Sequence, residues 1–170
     1  KGLKGGHSGI EIHDGRGNAI KMMNRLLKNL THEFNISLST INSGSKHNAI
    51  PREAFATVVV PTVTEKDFNE FIKNFDKTLK NEWKTKEPNI NVSAEKTDMP
   101  KRVMTEDFQT RLLNSFYAMP HGVIRMSPDI AGLVQTSTNF AIVETREDEV
   151  YVLTSQRSSI ESEKADIASM

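Results

Sequence analysis

Two stretches with apolar residues at every third or fourth position alternate with short β-branched runs, and that order leaves few folds open. Asn18 has the character of a helix N-cap, and Ala19, Met23, Leu26, Leu27, Leu30 and Phe34 follow it as one apolar stripe. A second helix is expected from Thr64, with Glu65 and Asp67 in the first turn, where acids suit the helix dipole. Its stripe is Phe68, Phe71, Ile72, Phe75, Leu79 and Trp83, and Pro88 ends it. Between the helices, Ile36 to Asn42 and Ala54 to Val60 read as strands, separated by a loop of turn formers from Ser43 to Pro51. Ile90, Val92 and Ala94 alternate with Asn91, Ser93 and Glu95 as a half-buried strand. With a first strand near residues 8 to 13, residues 1–97 run β-α-β-β-α-β. That is the ferredoxin-like plan of an α+β fold, an antiparallel sheet with helices on one face.

Residues 98–170 extend this half by a helix and a two-strand hairpin. Thr105 caps a helix bearing Phe108, Leu112, Leu113 and Phe116, stopped by Pro120 and Gly122. Strands of about 132–144 and 149–156 flank the charged turn Arg146-Glu147-Asp148. Ser158 and Glu161 have capping-box spacing for a last helix. Strand pairing across Asp98-Met99-Pro100-Lys101 makes 1–170 one domain of two sub-parts. The abrupt start at Lys1 and the helical pattern still running at Met170 read as a domain excised from a larger protein.

Composition narrows the function. Lys+Arg and Asp+Glu both number 22, so no charge excess points to nucleic acid or to a membrane surface. No apolar run reaches the roughly 18 residues of a membrane span. There is no cysteine, which removes disulfides, thiol catalysis and Cys-based zinc sites and fits a cytoplasmic setting. His7, His13, His32, His47 and His121 are scattered with no His-x-x-x-His pair, so no metal site is expected within this chain. His13, His32, His47 and His121 are expected at the surface.

Three segments carry candidate chemistry. In Gly5-Gly6-His7-Ser8-Gly9, glycines on both sides present an imidazole from bare backbone. Such a loop can also be a plain exposed turn; the Walker spacing for phosphate is absent. Asn48 lies in Ser43-Gly44-Ser45-Lys46-His47-Asn48-Ala49-Ile50-Pro51, as a polar contact or a turn residue. Arg157 near the end of the last strand can grip a carboxylate or pair at a strand end. Asn139, polar within a strand, is a secondary candidate for substrate contact.

These segments in this order resemble the lid domain of the co-catalytic metallopeptidases that include aminoacylases, carnosinases and glutamate carboxypeptidases. Gly5-Gly6-His7-Ser8-Gly9 followed by Asn18-Ala19 resembles the family's lid entry, and the Ser43 to Ala54 segment its second signature. The wider wording is closest to a bacterial dipeptidase member, through Lys1 to His13, Asn48 to Ala56, Gly122-Val123-Ile124-Arg125 and Arg157-Ser158-Ser159. The resemblance implies hydrolysis of dipeptides, Xaa-His and others, in a cytoplasmic homodimer joined through its lids. Two divalent, zinc-class metal ions would be held by a separate catalytic domain, whose ligands do not align here.

It also implies that His7 donates a hydrogen bond to the developing oxyanion, that Asn48 bonds the substrate, and that Arg157 anchors the substrate's C-terminal carboxylate. Shorter lids of the family carry an arginine at the end of the strand after Asn-x-Ile-Pro. Here that strand ends Val58-Val59-Val60-Pro61, and Arg157 is expected to take over. The competing expectation is a non-enzymatic ferredoxin-like interaction or regulatory domain, in which His7 is incidental.

Overall fold

The computed structural model describes residues 1–170. In chain order it runs β1 (Gly6–His7), a 3-10 turn at Ile12–Asp14, α1 (Ala19–Phe34), β2 (Ser37–Ser43), β3 (Ala49–Ile50) and β4 (Ala54–Val59). A second 3-10 turn at Thr62–Thr64 leads into α2 (Glu65–Trp83), then α3 (Glu106–Ala118), β5 (Gly122–Met126), β6 (Val134–Thr145), β7 (Val150–Ser158) and α4 (Glu161–Ser169).

The fold is α+β, as expected, and every strand pair is antiparallel. β6 organises the five-stranded sheet. Thr138 pairs with Gly122 on one side and Gln156 on the other, while Glu144 pairs with Asn42 and Tyr151. One edge of β6 is therefore shared by β5 and β2, β4 extends the sheet beyond β2, and β7 runs along the opposite edge.

One apolar core spans both sequence halves. It joins Ile20, Leu27 and Leu30 of α1, Leu38 and Ile41 of β2, Phe68, Ile72, Phe75 and Leu79 of α2, Leu113 and Phe116 of α3, and Phe140 and Val143 of β6. Phe116 meets Phe140 edge-on, with ring centroids 5.2 Å apart, an arrangement favoured by the ring quadrupoles. Asn18 caps α1 as its sequence position predicts, its Oδ1 accepting from the N–H groups of Ile20 and Lys21.

Several local expectations give way. The first strand covers only Gly6–His7 and pairs with β3, outside the main sheet. The N–H groups of Ile10 and Glu11 both donate back to the His7 carbonyl, which turns the chain before a strand can extend. The Ser43–Pro51 loop thus contains a short strand. Residues 90–94 do not join the sheet: Lys1 and Asn91 exchange both backbone hydrogen bonds, a single antiparallel pair, and Val92 N–H donates to Asp76. Of the ferredoxin-like half, α1, β2, β4 and α2 take their expected places.

Two caps are also built differently. The Thr64 hydroxyl donates to the Pro61 carbonyl and caps nothing, and α2 stops at Trp83 before Pro88. The Ser158–Glu161 box does not close. Ser158 accepts from Ile160 N–H, while Glu161 pairs with Lys164. α4 is instead held by Glu163, which accepts from Gln135, the Thr136 hydroxyl and Arg125.

His121 is half-buried where an exposed position was expected. Its Nδ1 lies 3.2 Å from Asn18 Nδ2 and 3.4 Å from Phe140 N, so the ring acts as an acceptor between the α1 cap and β6. Burial, and secondarily the Lys21 charge, push its pKa down to about 4 from the ordinary 6.5. The unfolded chain thus takes up a proton that the folded chain refuses between those values. The stability that depends on His121 is full above pH 6.5 and is lost as pH drops toward 4. Glu11, Glu82 and Glu163, held below the ordinary 4.5, add their losses only below that value. Urea unfolding at pH 7 and pH 5 should therefore show a lower midpoint at pH 5, and His121→Gln should flatten the difference. An unchanged slope in that variant would assign the acid sensitivity elsewhere.

Candidate functional site

The expected site residues meet at one end of the sheet. β1 and β3 form a two-stranded ribbon in which His7 pairs with Ala49 and Gly6 with Ile50. Ser8 N–H donates to the Asn48 carbonyl at 2.9 Å, so the two signature loops are zipped together. Asn139 fastens this ribbon to β6: its Nδ2 donates to the carbonyls of His47 and Ala49, one on each side of Asn48. Asn139 is buried to 1% exposure. It supports the Asn48 loop from beneath.

Strand alternation places Arg157 over this ribbon. Ser137 pairs with Arg157 and Asn139 with Ser155, so all four side chains lie on one face of the β6–β7 ladder, opposite Phe140 and the helical core. The approach to the histidine is close. A Cβ added at Gly9 would sit 3.0 Å from Cε1 of His7 and 3.2 Å from both Cζ and Nε of Arg157. Imidazole and guanidinium thus flank one glycine within a few ångströms of each other, and a side chain at Gly9 would displace both. Arg157 is exposed and takes part in no ion pair of the chain, and Asn48 is half-buried.

The tautomer of His7 follows from its neighbours. Gly9 N–H donates to Nδ1 at 3.0 Å, so Nδ1 carries a lone pair and the neutral ring holds its proton on Nε2. Nε2–H is then a donor with no partner in the chain. The backbone of His7 is fixed as well: its N–H donates to Glu11 Oε2 at 2.6 Å, and Arg16 bonds Glu11, Asp14 and the Gly5 carbonyl. The His7 N–H and then the Arg16 guanidinium hold the Glu11 carboxyl below its ordinary range. Gly6 has φ +147°, and a Cβ there would lie 2.4 Å from Arg16 Nη1, so this clip admits only glycine.

Sequence reasoning missed Glu11 and Arg16. Charged residues in a glycine loop look like solvated surface, and only their opposite signs five positions apart hinted at a clip. Elsewhere, His13, His32 and His47 are exposed as expected. No three His, Cys, Asp or Glu side chains group closely enough to hold a metal ion, and no helix is long and apolar enough to cross a membrane.

Comparison with known proteins points one way. The whole chain is 39% identical over 173 residues to the cytosol non-specific dipeptidase of Escherichia coli (strain K12), covering 35% of that protein. The crystal structure of aminoacylhistidine dipeptidase from Vibrio alginolyticus superposes on all of this chain with a TM-score of 0.96 at 39% identity, and 35% of that chain is covered. The chain therefore spans about a third of the length of these relatives. Residues 1–87 match the family described as "Peptidase dimerisation domain", and the chain belongs to that family.

Proposed function

We propose that this chain is the lid and dimerisation domain of a metal-dependent dipeptidase, acting on Xaa-His and other dipeptides in the cytoplasm as a homodimer. One observation carries it: an unpartnered imidazole N–H and an unpaired guanidinium converge on Gly9, beside the loop that presents Asn48. A dipeptide offers the matching groups, a carbonyl that becomes an oxyanion and a free C-terminal carboxylate. The similarity to two dipeptidases over the full chain supports the same reading.

This chain has no ligand set for a metal, and the two divalent, zinc-class ions belong in this proposal to the catalytic domain; no step here is drawn through them. What the lid supplies is polar. His7 Nε2–H donates to the oxyanion as the carbonyl becomes tetrahedral, when such a bond is worth most. Asn48 offers both a donor and an acceptor to the peptide without adding charge. Arg157 grips the terminal carboxylate through two parallel bonds and so measures substrate length. Closure over the catalytic domain excludes water and brings these groups to the substrate.

The test separates domain from enzyme. The full-length protein should hydrolyse Xaa-His dipeptides and lose activity on metal chelation. The 170-residue chain alone should show no hydrolysis with added zinc or manganese. Turnover by the pure domain would mean that the reacting centre has been misplaced.

A further inference from the structure

We propose that Glu87 is a positioning residue for His7, a carboxylate from beyond the end of α2 that ties together both ends of the loop carrying the imidazole. The proposal rests on the reading of His7 as an oxyanion donor. Glu87 is fully buried, at 0% exposure, and takes part in no ion pair. Its Oε2 accepts from Lys4 N–H at 2.7 Å, and its Oε1 accepts from Gly17 N–H at 2.8 Å.

Lys4 enters the His7 loop, and Gly17 leaves it immediately before the Asn18 cap of α1. One side chain, 83 residues from its first partner and 70 from its second, thus closes the base of the loop. The Glu11–Arg16 clip closes the same loop nearer its tip.

Burying a carboxylate without a cation is costly. Two backbone donors offset part of that cost, and both sit at the hinges of one loop. An apolar residue at position 87 would fill the space and leave the buried Gly17 N–H and the part-buried Lys4 N–H unmatched. A glutamine would match one donor and turn an NH2 toward the other. In both cases the loop keeps its sequence and loses the fixed path between Lys4 and Gly17.

A positioning role predicts a coupling that a general folding role does not. In the full-length dipeptidase, Glu87→Gln should lower kcat about tenfold, as expected for a misplaced donor, with KM for an Xaa-His dipeptide changed by less than about twofold. In a His7→Ala background the same change should cost nothing further, because the group it positions is gone. Equal loss in both backgrounds, or no loss beside an intact His7, would overturn the proposal.

Where Glu87→Gln does not fold, Glu87→Asp serves in the same cycle: it keeps the charge and is one methylene too short to reach both donors. Failure of both to fold would assign Glu87 to the fold alone and overturn the positioning role. If His7→Ala by itself leaves kcat at the wild-type value, the oxyanion reading has failed, and that result is visible without any Glu87 variant.

Discussion

His7→Ala in the full-length enzyme should lower kcat by about 100- to 1000-fold, the range seen when one oxyanion donor is removed, while bound metal stays unchanged. The expectation comes from the hydrogen-bond arrangement around the ring. Gly9 N–H occupies Nδ1, Glu11 holds the backbone N–H, and Nε2–H is left without a partner in the chain. The bond forms in the transition state more strongly than with the ground-state carbonyl, so the loss should fall on kcat and KM should move little. Metal content measured on the same preparations separates this from loss of the reacting centre. Wild-type turnover by a metal-replete variant would remove His7 from the chemistry and leave it as a structural residue of the β1–β3 ribbon.

How much of this was legible in the sequence depends on the range of the interaction. α1 and α2 follow from stripes that recur within one chain segment, and the Asn18 cap from a bond between near neighbours. The placement of residues 90–94 was not legible. Apolar alternation there reports burial of Ile90 and Val92, and a strand needs a partner edge that periodicity does not supply.

The settings of His121 and Asn139 were hidden for a related reason. Each is polar in a segment whose other contacts are remote, His121 against Asn18 and Phe140, Asn139 against the 47–49 carbonyls. A polar side chain shows nothing in the sequence of the backbone groups that will satisfy it. For the candidate site, the motifs singled out His7 and Asn48, and neither motif contains the Glu11 and Arg16 contacts that fix the backbone of His7 or the Asn139 contacts that hold the Asn48 loop. Arg157 was legible as a carboxylate anchor or a strand-end cation, and the register with Ser137 brings it over Gly9.

Arg157→Ala should weaken use of dipeptides with a free C-terminus by about 30- to 150-fold in kcat/KM, the equivalent of about 2–3 kcal/mol for a charge-assisted bidentate pair. Most of that should be in KM, since the carboxylate is bound equally before and during the reaction. Arg157 sits on β7 and is held by the ladder to β6, whereas His7 sits on a loop. The distance from guanidinium to oxyanion donor is therefore set by the strand at one end and the clipped loop at the other. On the proposed reading that distance should favour dipeptides, because a longer peptide would place its carboxylate past the guanidinium. Arg157→Lys should recover only part of the loss, since an ammonium keeps the charge and lacks the planar fork. C-terminally amidated dipeptides provide the discriminating measurement. They carry no carboxylate, so wild type and Arg157→Ala should use them equally poorly. An equal proportional loss on free and amidated substrates would show that Arg157 acts on the fold of the site and not on the substrate's charge.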